Sequence, residues 1–143
     1  VEYARNVLGL NGAAHEETAP DAAQLVISRL ACSLVGQRQA VQVVPGTRAH
    51  QAYGRETVTE AFRCSYGLNP AYREVLTMGP LKVSGVDAEG EVRIVELPDH
   101  RFFLATLYVP QLSSSPAAPH PLIRAYLEAA VVFRTARQGR EGR

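Results

Sequence analysis

The stretch Leu81-Lys82-Val83-Ser84-Gly85-Val86, Asp87-Ala88-Glu89-Gly90, Glu91-Val92-Arg93-Ile94-Val95-Glu96-Leu97 decides the fold. Two β-rich runs flank a turn-forming tetrapeptide, which predicts an antiparallel hairpin. Phe102 to Val109 follows as an almost continuous apolar run. Such a run marks a strand covered on both faces and predicts a central place in a sheet. Working upstream, Thr57 to Tyr66 is rich in β-formers, Gln39 to Val44 alternates until Pro45-Gly46, and Leu25-Val26-Ile27 reads as a short buried strand. Helical spacing appears at Val1, Ala4, Val7 and Leu8, a helical turn at His50 to Tyr53, and a short helix at Ala71 to Thr77 after Asn69-Pro70. Gly9 and Asn11-Gly12 open a loop that runs to Asp21. Beyond the Ser113–Pro119 linker, a final helix is predicted from His120-Pro121 to about Arg137. Leu122, Tyr126, Ala129, Ala130 and Phe133 form its buried stripe, and Gln138–Arg143 is expected to fray. Strands mixed with amphipathic helices imply a layered α/β domain.

The chain of 143 residues has the length of a single domain, residues 1–143. Fifteen basic residues against 14 acidic ones leave a net charge of +1, so no global field draws it to nucleic acid or to an anionic membrane. No apolar run approaches the roughly 18 residues needed to span a bilayer. Two cysteines, Cys32 and Cys64, make no disulfide framework, and the first residues carry charge; both features favour a reducing, cytoplasmic setting. The chain opens on Val1 inside a helical pattern with no preceding cap, which leads us to expect further structure upstream.

Three stretches together resemble the C-terminal glutamine amidotransferase domain of CTP synthase, a class I, triad-type amidotransferase. The first is Tyr3-Ala4-Arg5-Asn6-Val7-Leu8-Gly9-Leu10 with the loop to Glu17. The second is Val95-Glu96-Leu97-Pro98-Asp99-His100-Arg101-Phe102-Phe103-Leu104-Ala105-Thr106, and the third is Pro110 followed by Pro119-His120-Pro121-Leu122-Ile123 and the closing helix. The resemblance implies a three-layer, flavodoxin-like fold with a mainly parallel sheet plus the hairpin, its N-terminal strands and nucleophile elbow missing from this chain. It also implies a setting in pyrimidine nucleotide synthesis.

In that family a cysteine at a strand-to-helix turn attacks the glutamine amide, a histidine moves the proton, and a glutamate orients the histidine. The resemblance places the elbow just before Val1. It aligns the family's His-Pro-Glu with Val109-Pro110-Gln111, where valine accepts no proton and glutamine cannot stabilise an imidazolium by charge. The family's arginine ahead of Tyr66 is Ser65 here, whereas Glu17 matches the glutamate that receives the substrate's α-amino group. No intact catalytic set is therefore expected, and Glu17 and Tyr66 are the candidate substrate contacts.

Two thiols could stand in as nucleophile. Leu30 and Leu34 crowd Cys32 where an elbow needs small residues; Cys64, beside Arg63, is the better candidate for thiol chemistry, against the plainer role of a small buried hydrophobe. His15, Glu16 and Glu17 are consecutive loop residues that seldom converge on one ion, so no metal is expected. His100 and His120 adjoin turns and are expected at the surface or as caps. No GxxxxGK loop occurs, and no cofactor is expected. Three functions follow: a silenced amidotransferase of the CTP synthase type, a module binding a glutamine-like small molecule through Glu17, Tyr66 and Gln111, or thiol chemistry at Cys64. An exposed sheet edge would favour homo-oligomers.

Overall fold

The computed structural model describes the backbone of residues 1–141 and the side chains of residues 1–138. Four α-helices, α1 (Glu2–Asn6), α2 (Arg48–Tyr53), α3 (Arg73–Thr77) and α4 (Pro121–Glu141), accompany eight strands. The strands are β1 (Ala13–His15), β2 (Gln24–Arg29), β3 (Arg38–Val43), β4 (Thr57–Ala61), β5 (Tyr66–Leu68), β6 (Lys82–Val86), β7 (Val92–Glu96) and β8 (Leu104–Thr106). One sheet has the order β1-β2-β5 and the other β4-β3-β6-β7-β8.

The hairpin expected from the opening stretch is β6–β7, antiparallel with Lys82 opposite Glu96. Its turn is held by Asp87, whose Oδ1 accepts the backbone N–H groups of Glu89 and Glu91, while Gly90 takes the left-handed φ of 83°. The same carboxylate forms a buried ion pair with Arg93. Gly85 faces Ile94 so closely that a Cβ there would sit 2.6 Å from the isoleucine side chain. Glycine is thus set by packing in the hairpin.

Two apolar clusters stabilise the fold. The larger joins Val41, Val43, Ala49, Tyr53, Phe62, Ile94, Tyr108 and Leu122, and the smaller gathers Ala4, Ala13, Val26, Leu76 and Leu81. α2, which gives Ala49 and Tyr53 to the larger cluster, is anchored by caps. The Thr47 hydroxyl accepts from His50 N–H, Gly54 ends the helix at φ 67°, and the buried Glu96 carboxylate accepts from the N–H groups of Arg48 and Ala49 at 2.9 and 3.1 Å. A helix start leaves such donors open, and an anion there is favoured. Arg48 in turn donates to the carbonyls of Pro98, His100 and Arg101, fixing the turn before β8.

Several expectations are corrected. The mixed α/β class holds, but among the described strands only β1–β2 is parallel. Links such as residues 87–91 between β6 and β7 are too short for the crossover that parallel neighbours need. The run Phe102 to Val109 forms no central strand; β8 keeps only Leu104–Thr106 and lies at a sheet edge, paired with β7. Its apolar residues are claimed instead by separate partners: Phe103 packs against the smaller cluster and Tyr108 belongs to the larger. Of the stripe expected on α4 only Leu122 is buried; Tyr126 and Phe133 are exposed, because α4 packs chiefly on α2 and the 3-10 turn at Pro110–Ser113. The helix continues to Glu141, past the expected Arg137, and of the tail expected to fray Gly142 and Arg143 lie outside the described residues. The loop to Asp21 holds β1.

Candidate functional site

Val109 and Gln111 lie where β8 runs out through the 3-10 turn toward α4. Both line an apolar cleft of about 730 Å³ together with Phe102, Leu104, Tyr108 and Tyr126. Val109 N–H donates to the Ala61 carbonyl at 3.0 Å, which ties the segment to β4. Among the described residues no histidine, carboxylate or cysteine lines this cleft. Proton transfer to a reacting group requires a titratable side chain within hydrogen-bond reach. Among the described residues of the cleft wall, Tyr108 and Tyr126 alone carry a titratable group.

Directly behind that wall sits an imidazole paired with a carboxylate. His120, expected at the surface or as a cap, is buried, and its Nε2 lies 2.9 Å from Glu60 Oε1. Tyr53 Oη donates to the same oxygen at 2.7 Å and meets Tyr108 Oη at 2.8 Å. The capping half of the expectation holds: Leu122 N–H donates to His120 Nδ1 at 3.2 Å in the first turn of α4. Because Nδ1 accepts a backbone N–H, the ring proton belongs on Nε2, and His120 is a neutral donor to Glu60. In a catalytic triad one ring nitrogen faces the carboxylate and the other remains open to the nucleophile. Here both are occupied, so the pair is structural. Burial, with the neighbouring Tyr108 phenol next, pushes the Tyr53 phenol far above its ordinary range, and burial does the same to Tyr108. Both phenols therefore stay protonated donors.

The remaining candidates gather elsewhere, on the three-stranded sheet. Tyr66 opens β5 opposite Arg29 of β2, its ring centroid 5.2 Å from that of His15. Glu17 follows β1 in an exposed turn, where its backbone N–H donates to His15 Nδ1 at 3.1 Å. Glu16 accepts the Arg29 backbone N–H. Glu17 and Tyr66 thus share one surface cluster, while Val109 and Gln111 line a separate cleft. Cys64 is half-buried and Cys32 exposed on the rim of a second cleft of about 460 Å³. Neither sulfur makes a hydrogen bond among the described residues, and no imidazole is held against either. His100 is exposed, its Nδ1 accepting from Phe102 N–H in the turn. Among the described residues no group of three or more His, Cys, Asp or Glu side chains is arranged to hold a metal ion, and no helix is long and apolar enough to cross a membrane.

The buried Glu60–Tyr53–His120–Tyr108 network was not anticipated from sequence. One signal was present: Glu60 shares the inward phase of β4 with Val58, two residues away, and the chain continues to the buried Phe62. A polar residue on an apolar phase needs a buried partner.

Taken together, the mixed sheets and the closing helix are those of a class I glutamine amidotransferase-like domain. No protein-family model matches the chain. It is 39% identical over 92% of its length to the CTP synthase of Carboxydothermus hydrogenoformans and 40% identical over 94% to that of Geobacter metallireducens. It spans about a quarter of those proteins, 26% and 27% of their lengths. Its fold matches the Trypanosoma brucei CTPS glutaminase domain with bound acivicin at a TM-score of 0.85 and 29% identity, covering 92% of this chain and 55% of that one. The chain is thus related in sequence and fold to the glutaminase domain of CTP synthases.

Proposed function

We propose that this chain is a CTP synthase-type amidotransferase domain that binds a glutamine-like small molecule and does not hydrolyse it. One observation carries the reading: among the described residues no imidazole or carboxylate lines the cleft beside Val109 and Gln111, and the nearby His120 has both nitrogens engaged. Loss of triad members typically lowers turnover by several orders of magnitude. Glu17 and Tyr66 supply the binding surface, Gln111 is a polar residue of the separate cleft, and the composition suits a cytoplasmic setting. The unpaired edge of β8 supports association with a second copy, which sedimentation equilibrium reads directly.

The test is ammonia release from L-glutamine by the native polypeptide, run beside a thermal-shift titration. We expect no release above the uncatalysed rate. A ligand at 100 times its Kd adds about 2.7 kcal/mol, a shift of roughly 5–10 °C for a chain of this size. Turnover near that of a competent amidotransferase would overturn the reading, as would the absence of any shift with glutamine or glutamate.

A further inference from the structure

Among the described residues β8 pairs only with β7. Along that ladder Leu97 N–H donates to the Phe103 carbonyl at 3.2 Å, Leu107 N–H donates to the Arg93 carbonyl at 3.0 Å, and Ala105 lies opposite Val95. Bonded residues alternate in an antiparallel ladder, so the N–H and C=O groups of Leu104 and Thr106 point away from β7. Phe102 to Val109 holds neither a charged residue nor a proline, the usual protections of a free edge. The other edge strand of this sheet, β4, is covered, because its Ala61 carbonyl takes the Val109 N–H and the 3-10 turn packs on it. Apolar clefts flank β8 on both faces. Leu104, Thr106 and Tyr108 line the one of about 730 Å³, and Ala105 and Leu107 line one of about 140 Å³. α4 borders the larger cleft and leaves Tyr126, Leu127, Val131 and Val132 more than half exposed, a patch of the kind that marks an interaction surface. A strand apolar on both faces is suited to the middle of a sheet, and β8 stands at its edge.

We infer that β8 pairs antiparallel with β8 of a second copy about a two-fold axis at Ala105, joining the two five-stranded sheets into one. The inference rests on the association with a second copy proposed above and fixes its geometry. In this register both outward residues of β8 are used, Leu104 bonding the partner subunit's Thr106 and Thr106 the partner subunit's Leu104. Ala105, small and exposed, falls at the axis, where facing residues approach most closely. On the α4 side the partner subunit's Leu104 comes beside Thr106, so the second copy walls the open side of the cleft that carries Val109 and Gln111. The same patch serves both copies, which closes the assembly at two.

Sedimentation equilibrium of the intact chain at about 100 μM tests the pairing, since interfaces of standard size give micromolar or tighter Kd. We expect a species of twice the chain mass. Ala105→Glu and Ala105→Lys set like charges opposite each other and should each weaken the dimer at least about tenfold at low salt. Position 105 is exposed, so both variants should fold, as circular dichroism will show. An equimolar mixture of the two should recover the dimer, because unlike charges then meet at the axis. A monomeric parent removes the association itself and this pairing with it. A parent dimer that withstands both charges, or a mixture that stays monomeric, overturns the pairing at Ala105 and leaves association through another surface standing. Species that grow beyond two copies with concentration overturn the two-fold arrangement.

Discussion

Replacing His120 with alanine tests whether the buried imidazole is a structural pin. The change removes the Nε2 hydrogen bond to Glu60 and the acceptor for Leu122 N–H, and it opens space beside the Tyr53 ring, whose centroid lies 5.6 Å from that of His120. Glu60 is only 3% exposed and its Oε2 already lacks a partner, so a carboxylate left with the Tyr53 hydroxyl alone is poorly compensated. A hydrogen bond to a charged group contributes about 1.5–3 kcal/mol, and stranding a buried charge raises the total to about 3–5 kcal/mol. The expected fall in melting temperature is roughly 10–15 °C. The charge-dependent part is isolated by repeating the substitution in a Glu60→Gln background, where no anion is stranded. There His120→Ala should cost only about 1–2 kcal/mol, giving a coupling of about 1.5–3 kcal/mol. Urea unfolding of the four proteins, followed by circular dichroism, supplies the cycle. Additivity within about 0.5 kcal/mol would refute the argument, since independent sites behave that way.

Two further outcomes follow from packing and burial. Gly85→Ala should destabilise by about 1–3 kcal/mol, because the new Cβ meets Ile94 at 2.6 Å and that side chain is fully buried; an unchanged urea midpoint would contradict the packing described for the hairpin. Tyr53 and Tyr108 hold their protons well above the free phenol value of 10.0, so the folded state favours the neutral form. Their contribution to stability is complete below pH 10 and is lost as the pH rises beyond it, where the unfolded phenols ionise. Phenolate absorbance should therefore lack these two of the six tyrosines until the protein unfolds, and Tyr108→Phe should flatten the decline above pH 10. Full ionisation of all six in the folded chain would oppose this.

The sequence made the local elements legible where chemistry and spacing agreed. Asp87 and Gly90 announced the β6–β7 turn, and both perform the roles their side chain and φ dictate. The helical turn expected at His50 to Tyr53 is the end of α2, whose caps Thr47 and Gly54 are seen only in the structure. Long-range assignments were less legible. Phe102 to Val109 is apolar for two different reasons, since its residues feed two clusters and a cleft wall, and periodicity alone cannot separate that from a central strand. The same limit applied to α4, where apolar spacing shows which face a helix can bury but not what lies opposite. At the candidate site, the replaced positions Val109 and Gln111 were readable one residue at a time. The partnership of Glu60 with His120, 60 residues apart, was not, because a Pro-His-Pro context carries no mark of burial.

The Glu60–His120 pair also bears on the proposed absence of glutamine hydrolysis. A general base needs one imidazole nitrogen free toward the nucleophile and the other held by a carboxylate. His120 cannot be recruited by a small movement, since freeing Nδ1 breaks the Leu122 cap and freeing Nε2 strands Glu60 in the core. Nor does Glu60 line the cleft that a histidine installed at position 109 would face. Proton transfer at this cleft would therefore require both a base at 109 and an anion at 111, and the present Gln111 supplies neither charge nor a substitute for it. His120 and Glu60 serve α4 and β4, and under the function proposed above the cleft in front of them is left to binding.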